Sequence, residues 1–386
     1  MAAGGVVTKS FGLLALLGAC LGATSALAQR AEGDDESPAP PALRDWLEKI
    51  DVTAFVDVYG ALNPNLPPDG ESFFPGVGST AKGANTFGLN LAGVDLALEP
   101  APVGARLQLI VGSASALIHA GEPVGTVFGA EVYAPIYQAY VTLQLPFVEG
   151  LVVDAGVYAS HIGFESFFSQ DNWAYTRGWL AELSPYYQTG VRATYTLPAL
   201  PALSVQLHVV NGWQNIVDDN LGKSVGAQLA WRTERLSVAL NGWAGPEQMG
   251  ADEGIRWLGD AVLVVSPLDG LSLAGSADLG VERLSTGDVS WWGAALHARG
   301  APVDGLALAA RVEYVDDPFG AISGIPQTLE EGTLTLELLP NERLVVKLEG
   351  RYDVSSAEVF AARGPDRAPA FTHTQALFVL GVVGKL

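Results

Sequence analysis

The feature that most limits what this chain can become is a period-two alternation of polar and apolar residues, sustained over long segments. In "LVVKLEGRYDVS", Lys347, Glu349, Arg351 and Asp353 occupy one phase, and Val346, Leu348, Gly350 and Tyr352 the other. "LALAARVEYV" sets Arg311 and Glu313 against Leu308, Ala310, Val312 and Tyr314, and "IYQAYVTLQL" sets Gln138, Tyr140, Thr142 and Gln144 against Ala139, Val141, Leu143 and Leu145. Neighbouring side chains leave opposite faces of a strand, so each segment has one wet face and one apolar face. Strands of soluble sandwiches also alternate, but they average about five or six residues. These segments run to about ten to twelve residues, the length that crosses a bilayer when tilted.

Segments of this kind fall near 51–62, 87–99, 104–112, 134–145, 151–158, 185–197, 203–212 and 223–232, then near 236–244, 256–266, 271–282, 290–300, 306–317, 327–339, 344–354 and 372–386. The total of about 16 is even, as single-chain outer-membrane barrels require. The second segment breaks phase between Asn90 and Asp95. Links after even segments are short ("PAPV", "PFVEG", "TER", "PLDG", "PNER"), whereas those after odd segments are usually long, up to the runs 63–86, 113–133 and 159–184. Short periplasmic turns and long external loops give a barrel this asymmetry. The fold expected is all-β: a transmembrane, antiparallel, up-and-down β-barrel. Tyr137, Tyr186, Trp257, Trp292, Tyr314 and Tyr352 fall near segment ends, where a barrel carries its aromatic girdle.

Composition fits a barrel. Charged residues make up only 16% of the 386 positions and apolar ones 49%, yet beyond the N-terminus no apolar run is long enough for a membrane helix. The formal charge of −21 argues against nucleic acid as a partner. Residues 1–28 read as a signal peptide: Lys9, the apolar "FGLLALLGACLGA", then Ala26-Leu27-Ala28 as a cleavage site. A competing lipoprotein cut would instead anchor Cys20, the single cysteine. Residues 29–50 read as an acidic, Pro-rich tether ending in a short amphipathic helix (Leu43, Trp46, Leu47, Ile50), and 51–386 as the barrel.

Closure is forced in hydrocarbon, where an open sheet edge leaves backbone groups unpaired. Sixteen strands enclose a space too wide for wall side chains to fill, so an aqueous lumen is expected. Arg106, Arg192, Arg256, Asp260, Asp278, Arg299, Arg311, Glu313, Glu337, Lys347, Glu349, Arg351 and Asp353 all lie on the polar phase and are candidate pore-lining residues. Pairing across strands to stiffen the wall is the other role open to each of them. The third long loop, "SHIGFESFFSQDNWAYTRGWLAELSP", carries Glu165, Asp171, Arg177 and Glu182. Folded inward as a constriction, the loop would set ion preference through the local field of these charges; an external lid is the other reading.

The chain resembles the β-barrel porin family of the OmpL-like type from Gram-negative outer membranes. The resemblance rests on an ordered set spanning nearly the whole mature chain: "LNPNLP", "IYQAYVTLQLP", "YYQTGVRATYT", "VVNGWQNIVDDNLGKSVG", "GPEQ", "VEYVDDPFGAISGIPQTLEEGTLTLE" and "LEGRYDVSS". It implies an outer-membrane porin-like barrel with its substrate unassigned, and supplies no catalytic residues. Contact with outer-membrane lipid and lipopolysaccharide, passage of small hydrophilic solutes, and no cofactor or metal are the accompanying expectations. In porins the third loop folds inward, and sixteen-stranded members are often trimers, so a homotrimer is a further expectation. The terminal aromatic common in such barrels is replaced by Leu386, while Phe378, Leu380 and Val382 keep the apolar phase.

Passive diffusion is the leading expectation. A substrate-specific pore, for example one with a sugar slide from Trp173, Tyr175, Trp179, Trp213 and Trp243, is the near alternative. A non-conducting interaction barrel and a barrel enzyme are the others. For an enzyme the candidate bases are His119, His161, His208, His297 and His373, but Ser160 and His161 are sequence neighbours that diverge on a strand. Asp218, Asp219 and Asn220 look like cation ligands, yet they are adjacent and no Glu follows at the calcium-loop distance. An Asx-stabilised turn in the fourth external loop is the expectation there.

Overall fold

Alternating segments of this length settle as strands only if each finds two neighbours, and here every one does. The computed structural model of the protein describes residues 49–122, 132–364, 366 and 368–386. The segment read from the sequence as a signal peptide (1–28) and nearly all of the expected tether lie outside the described residues. Ile50, assigned from the sequence to the end of a short helix, instead opens the first strand.

Strands β1 (Ile50–Leu62), β2 (Thr86–Leu98), β3 (Val103–Val111), β4 (Ile136–Gln144), β5 (Leu151–Ala159) and β6 (Tyr187–Thr196) run in order around the wall. They continue through β7 (Leu203–Val210), β8 (Ser224–Arg232), β9 (Leu236–Pro246), β10 (Ile255–Leu268) and β11 (Leu271–Leu284). Next come β12 (Gly287–Val303), β13 (Leu306–Asp317), β14 (Gln327–Asn341) and β15 (Leu344–Ser355). A separate hairpin, β16 (Phe360–Arg363) and β17 (Pro369–Thr372), stands in the last loop before β18 (Thr374–Lys385). Sixteen strands close the barrel because β18 pairs with both β15 and β1. Reciprocal backbone bonds between Ala54 and Leu386 (3.1 and 2.8 Å) carry the closing ladder to the last residue.

The alternation produces an inverted protein. Leu334, Leu348 and Phe378 are exposed on the outer face, while Lys347, Glu349 and Arg351 are buried inside. Links at one end shrink to 269–270, 304–305 and 342–343, and the long loops gather at the other end. Two short helices decorate these loops, α1 (Ser113–Ile118) and α2 (Trp179–Glu182).

Two departures from strict alternation have one cause. Asp57 opposes Leu91 and Val58 opposes Leu89, which leaves Asn90 as an extra residue in β2. This bulge is the phase break visible in the sequence, and Asn90 Nδ2 turns inward to donate to Asp57 (2.8 Å). A second register shift places Gln108 opposite Gln138 and Leu109 opposite Ile136. Tyr137 is thereby released from the outer phase and buried in the interior. It therefore leaves the aromatic girdle, as does Tyr186, which precedes β6 and packs edge-on against Phe167 (5.6 Å). Trp257, Trp292 and Tyr352 remain exposed on the outer face near the long-loop end, with Tyr314 half-buried against Trp292 (5.3 Å).

Leu334 lies at the centre of β14 and is 70% exposed. Leu334→Arg should lower folding stability in lipid vesicles by about 2–4 kcal/mol, and Leu338→Arg, nearer the strand end, by about 0–1 kcal/mol. Equilibrium denaturation of the two variants checks this, and equal losses would contradict the assigned depth.

Candidate functional site

The site is the interior beneath the long loops, and its main component is the third loop, residues 160–186. A loop that leaves water must find partners for its own peptide groups. The inner wall supplies them. Lys347 Nζ donates to the carbonyls of Ser169 (2.8 Å), Asn172 and Ala174 (3.3 Å). Glu349 accepts from the backbone N–H groups of Tyr175 (2.5 Å) and Thr176 (3.0 Å) and from the Thr335 hydroxyl (2.8 Å). Glu313 accepts the Trp179 N–H, and Arg351 donates to the Arg177 carbonyl (2.5 Å) while bonded to Asp353 (2.8 Å). Asp57, wholly buried on β1, gathers Asn90, the Ser169 hydroxyl (2.6 Å) and the Tyr175 hydroxyl (2.6 Å).

Charge pairing between loop and wall completes the attachment. Arg311 bridges Glu165 of the loop and Glu331 of β14, at 2.6 Å each. Burial is the largest influence and tends to raise the Glu165 carboxyl, but Arg311, His297, the Gly178 N–H and Arg177 together outweigh it and hold Glu165 below its usual range. Glu182 reaches out of α2 to the first loop, accepting from Gly78 N–H (2.8 Å), Ser79 N–H (2.9 Å) and the Ser79 hydroxyl (2.6 Å). The Tyr186 hydroxyl donates to the same carboxylate (2.8 Å). The first and third loops are thus clasped together inside the barrel.

An apolar cluster sits over these bonds. Trp179 stacks on Phe74 (5.3 Å) and meets Phe73 edge-on (5.9 Å), with Phe360 of the last loop beside it. Tyr175 lies against Gly381 of β18, where a Cβ would stand 2.1 Å from the Tyr175 ring. Only glycine lets the loop approach the wall there.

All thirteen wall residues singled out in the sequence face the interior, in two surroundings. Arg311, Glu313, Lys347, Glu349, Arg351 and Asp353 are buried under or beside the loop, as are Asp260 and Asp278. Asp260 accepts the Gly163 N–H (3.2 Å), and Asp278 accepts the Ser184 hydroxyl (3.3 Å). Arg106, Arg192 and Arg256 form cross-strand pairs with Asp95 (2.5 Å), Asp154 (2.7 Å) and Glu282 (2.8 Å). Arg299 pairs with Glu337 (2.5 Å), which also meets Lys347 (3.3 Å). Of the four loop charges, Arg177 and Glu182 are buried, Glu165 is half-buried overall with its side chain covered, and Asp171 is exposed. Arg177 lies over the Tyr186 ring at 4.3 Å.

The aromatic residues considered as a slide do not form one track. Tyr175 and Trp179 are fully buried, Trp173 packs on Phe164, and Trp213 meets Trp243 edge-on at 5.7 Å. In the fourth loop Asp218 accepts the Asn220 N–H (3.3 Å), an Asx turn, and Asp219 accepts the Gly250 N–H (3.3 Å). Among the described residues no three His, Cys, Asp or Glu side chains are grouped to hold a metal ion. Sequence reasoning missed Asp57 and Gly381. Asp57 is an acid in the middle of β1, flanked on its inner phase by Phe55 and Tyr59, a signal that was there to be read; the role of Gly381 depends on where Tyr175 arrives.

A closed sixteen-strand barrel with an apolar exterior, a charged interior and an inward-folded third loop is the architecture of an outer-membrane porin. The family model described as "Putative beta-barrel porin-2, OmpL-like" matches residues 49–386, and the chain belongs to that family. It is an outer-membrane protein of porin type, and family and fold point to a channel rather than an enzyme. No curated relative matches the chain. Among solved structures, the chain is similar to the anion-selective porin from Comamonas acidovorans: 12% identity, 87% of this chain and 99% of that one covered, TM-score 0.55. It is also similar to OmpT of Vibrio cholerae in a trimer form (10% identity, 87% and 99% covered, TM-score 0.55). OmpF of Salmonella typhi is a further match (11% identity, 87% and 97% covered, TM-score 0.53). At these identities the likeness is one of fold.

Gly381→Leu should displace Tyr175 and loosen the third loop from the β15–β18 wall. Limited proteolysis between residues 165 and 180 should be faster than in the parent protein, with the barrel still resisting heat in detergent. Unchanged cleavage would argue against the loop depending on this contact.

Proposed function

We propose that the protein is a passive channel for small hydrophilic solutes and ions, narrowed by its third loop. The observation that carries this reading is the attachment of that loop across the interior, from β5 and β6 to Asp57, Arg311, Lys347, Glu349 and Arg351. A loop held this firmly sets a fixed size limit. Passage would run along the wall left free of it, where the Arg106 side chain is 37% exposed and that of Arg192 19%. Arg106, Arg192, Arg256 and Arg299 are the pore-lining residues this assigns, with Asp171 the loop charge that meets the solute.

Each of these arginines has a carboxylate partner, so the local field is divided and selectivity should be weak, with a mild cation preference from the acidic excess. A homotrimer is the assembly we favour. OmpT of Vibrio cholerae has a trimer form, and the outer face of β12–β15 has a hollow lined by Ala298, Gly300, Ala310 and Gly350 beside Leu334, Leu348 and Phe378. The remaining outer surface meets lipid and lipopolysaccharide.

Planar-bilayer recording tests the reading. Expected are small ohmic steps and a reversal potential in a KCl gradient on the cation side of zero. Arg106→Ala with Arg192→Ala should move that potential further toward cations. Absence of conductance, or concentration-dependent block by one sugar and no other, would overturn general diffusion.

A further inference from the structure

On the outer face near the long loops, the aromatic girdle has a gap. Strands β12, β13 and β15 each place a ring there, Trp292, Tyr314 and Tyr352. Strand β14, between the last two, places Gly332 directly opposite Tyr352 in the ladder. Packing does not demand a glycine at this point, since a Cβ on Gly332 would meet nothing within 4 Å. Beside it lies a hollow of about 500 Å³, lined by Tyr314, Tyr352, Ala294, Val312 and Glu330.

Glu330 is the unusual member. It stands opposite Tyr314 and is exposed on the lipid-facing side of β14, where Gly332, Leu334, Leu336 and Leu338 follow it on the same face. The wall offers it no cation. The basic residues of β12 to β15 turn inward: Arg299 to Glu337, Arg311 to Glu165 and Glu331, Lys347 to Glu337, and Arg351 to Asp353. Two aromatic rings and one carboxylate around a single hollow suit an ammonium group. The rings attract it through their quadrupoles, and the carboxylate neutralises its charge and accepts its N–H groups. Girdle rings sit at headgroup level, so the hollow lies where lipid headgroups are.

We propose that this hollow is a lipid-headgroup site, which holds the ammonium group of an amine-bearing outer-leaflet lipid beside Tyr314 and Tyr352 with Glu330 as its counter-ion. A second copy of the chain fits less well, because it would have to bring an unpaired cation to the membrane surface. Arg283 and Lys223, exposed near the long-loop end, are already beside Asp288 (3.6 Å) and Asp218. The site lies outside the lumen and stands whether or not the lumen conducts.

Native mass spectrometry of the folded protein in detergent, with phosphatidylethanolamine and phosphatidylglycerol at equal concentration, tests the assignment. The parent protein should retain the ethanolamine lipid over the glycerol lipid by about threefold or more. Glu330→Gln keeps the shape of the side chain, removes the charge and should abolish the preference. Gly332→Phe leaves the carboxylate in place, fills the hollow and should abolish it too. Both positions are exposed, so both variants should fold and resist heat as the parent does. Asp316→Asn removes another carboxylate of the outer face, opposite Trp292 and outside the hollow, and should keep the preference. No preference in the parent, an unchanged preference in Glu330→Gln or Gly332→Phe, or an equal loss in Asp316→Asn would overturn the site. A change of oligomeric state in Gly332→Phe with the lipid preference intact would also overturn it, by giving the hollow to a second copy.

Discussion

Everything in this molecule depends on the backbone pairing between its first and last barrel strands. In hydrocarbon an unpaired peptide group costs several kcal/mol, so a sheet of this length is tolerated only if it has no edge. The β1–β18 ladder removes the edge, and the reciprocal bonds between Ala54 and Leu386 use the final residue to do so. Outer and inner faces follow from closure. Leucines become the surface and charges the interior, the reverse of a soluble domain.

Closure also creates the next problem, a space wider than wall side chains can fill. The chain answers it with loops. The charged stripe of β13 to β15 acts less as a free lining than as a set of partners for the peptide groups of the third loop. Lys347 meets carbonyls, Glu349 meets N–H groups, and Arg351 does the first while bonded to Asp353. This is how so many charges can be buried without prohibitive cost: Arg311, Lys347 and Arg351 are ion-paired, and Glu313 and Glu349 accept backbone N–H groups. Over them lies an apolar layer of Trp179, Phe73, Phe74 and Phe360 from three different loops. A firmly seated loop and a half-exposed arginine wall opposite it are two parts of one arrangement.

The fold was legible because alternation, segment length and the short-long rhythm of links are all local patterns with a single physical cause. Strand boundaries such as those of β13, at 306–317, could be read almost to the residue. Exceptions occurred where pairing, not pattern, decides direction. Tyr137 reads as outward until the extra residue at the β3–β4 register shift turns it inward. The interior was legible as a set of residues facing one way, but not as a set of bonds. Nothing adjacent to Lys347 announces that its partners are carbonyls more than 170 residues earlier in the chain. Nor does the sequence hint that His161, at the start of a loop, will stack on His208.

The sequence by itself therefore determined the barrel, its two faces, its two ends and a strand number of about 16, because side chains alternate along a strand with no reference to anything distant. Only the tertiary structure decided which interior charges anchor a loop and which remain half-exposed, that Gly381 must lack a side chain beneath Tyr175, and that two imidazoles meet in the wall. Those outcomes depend on where a loop of no regular period comes to rest, and that is set by the summed fit of many distant partners.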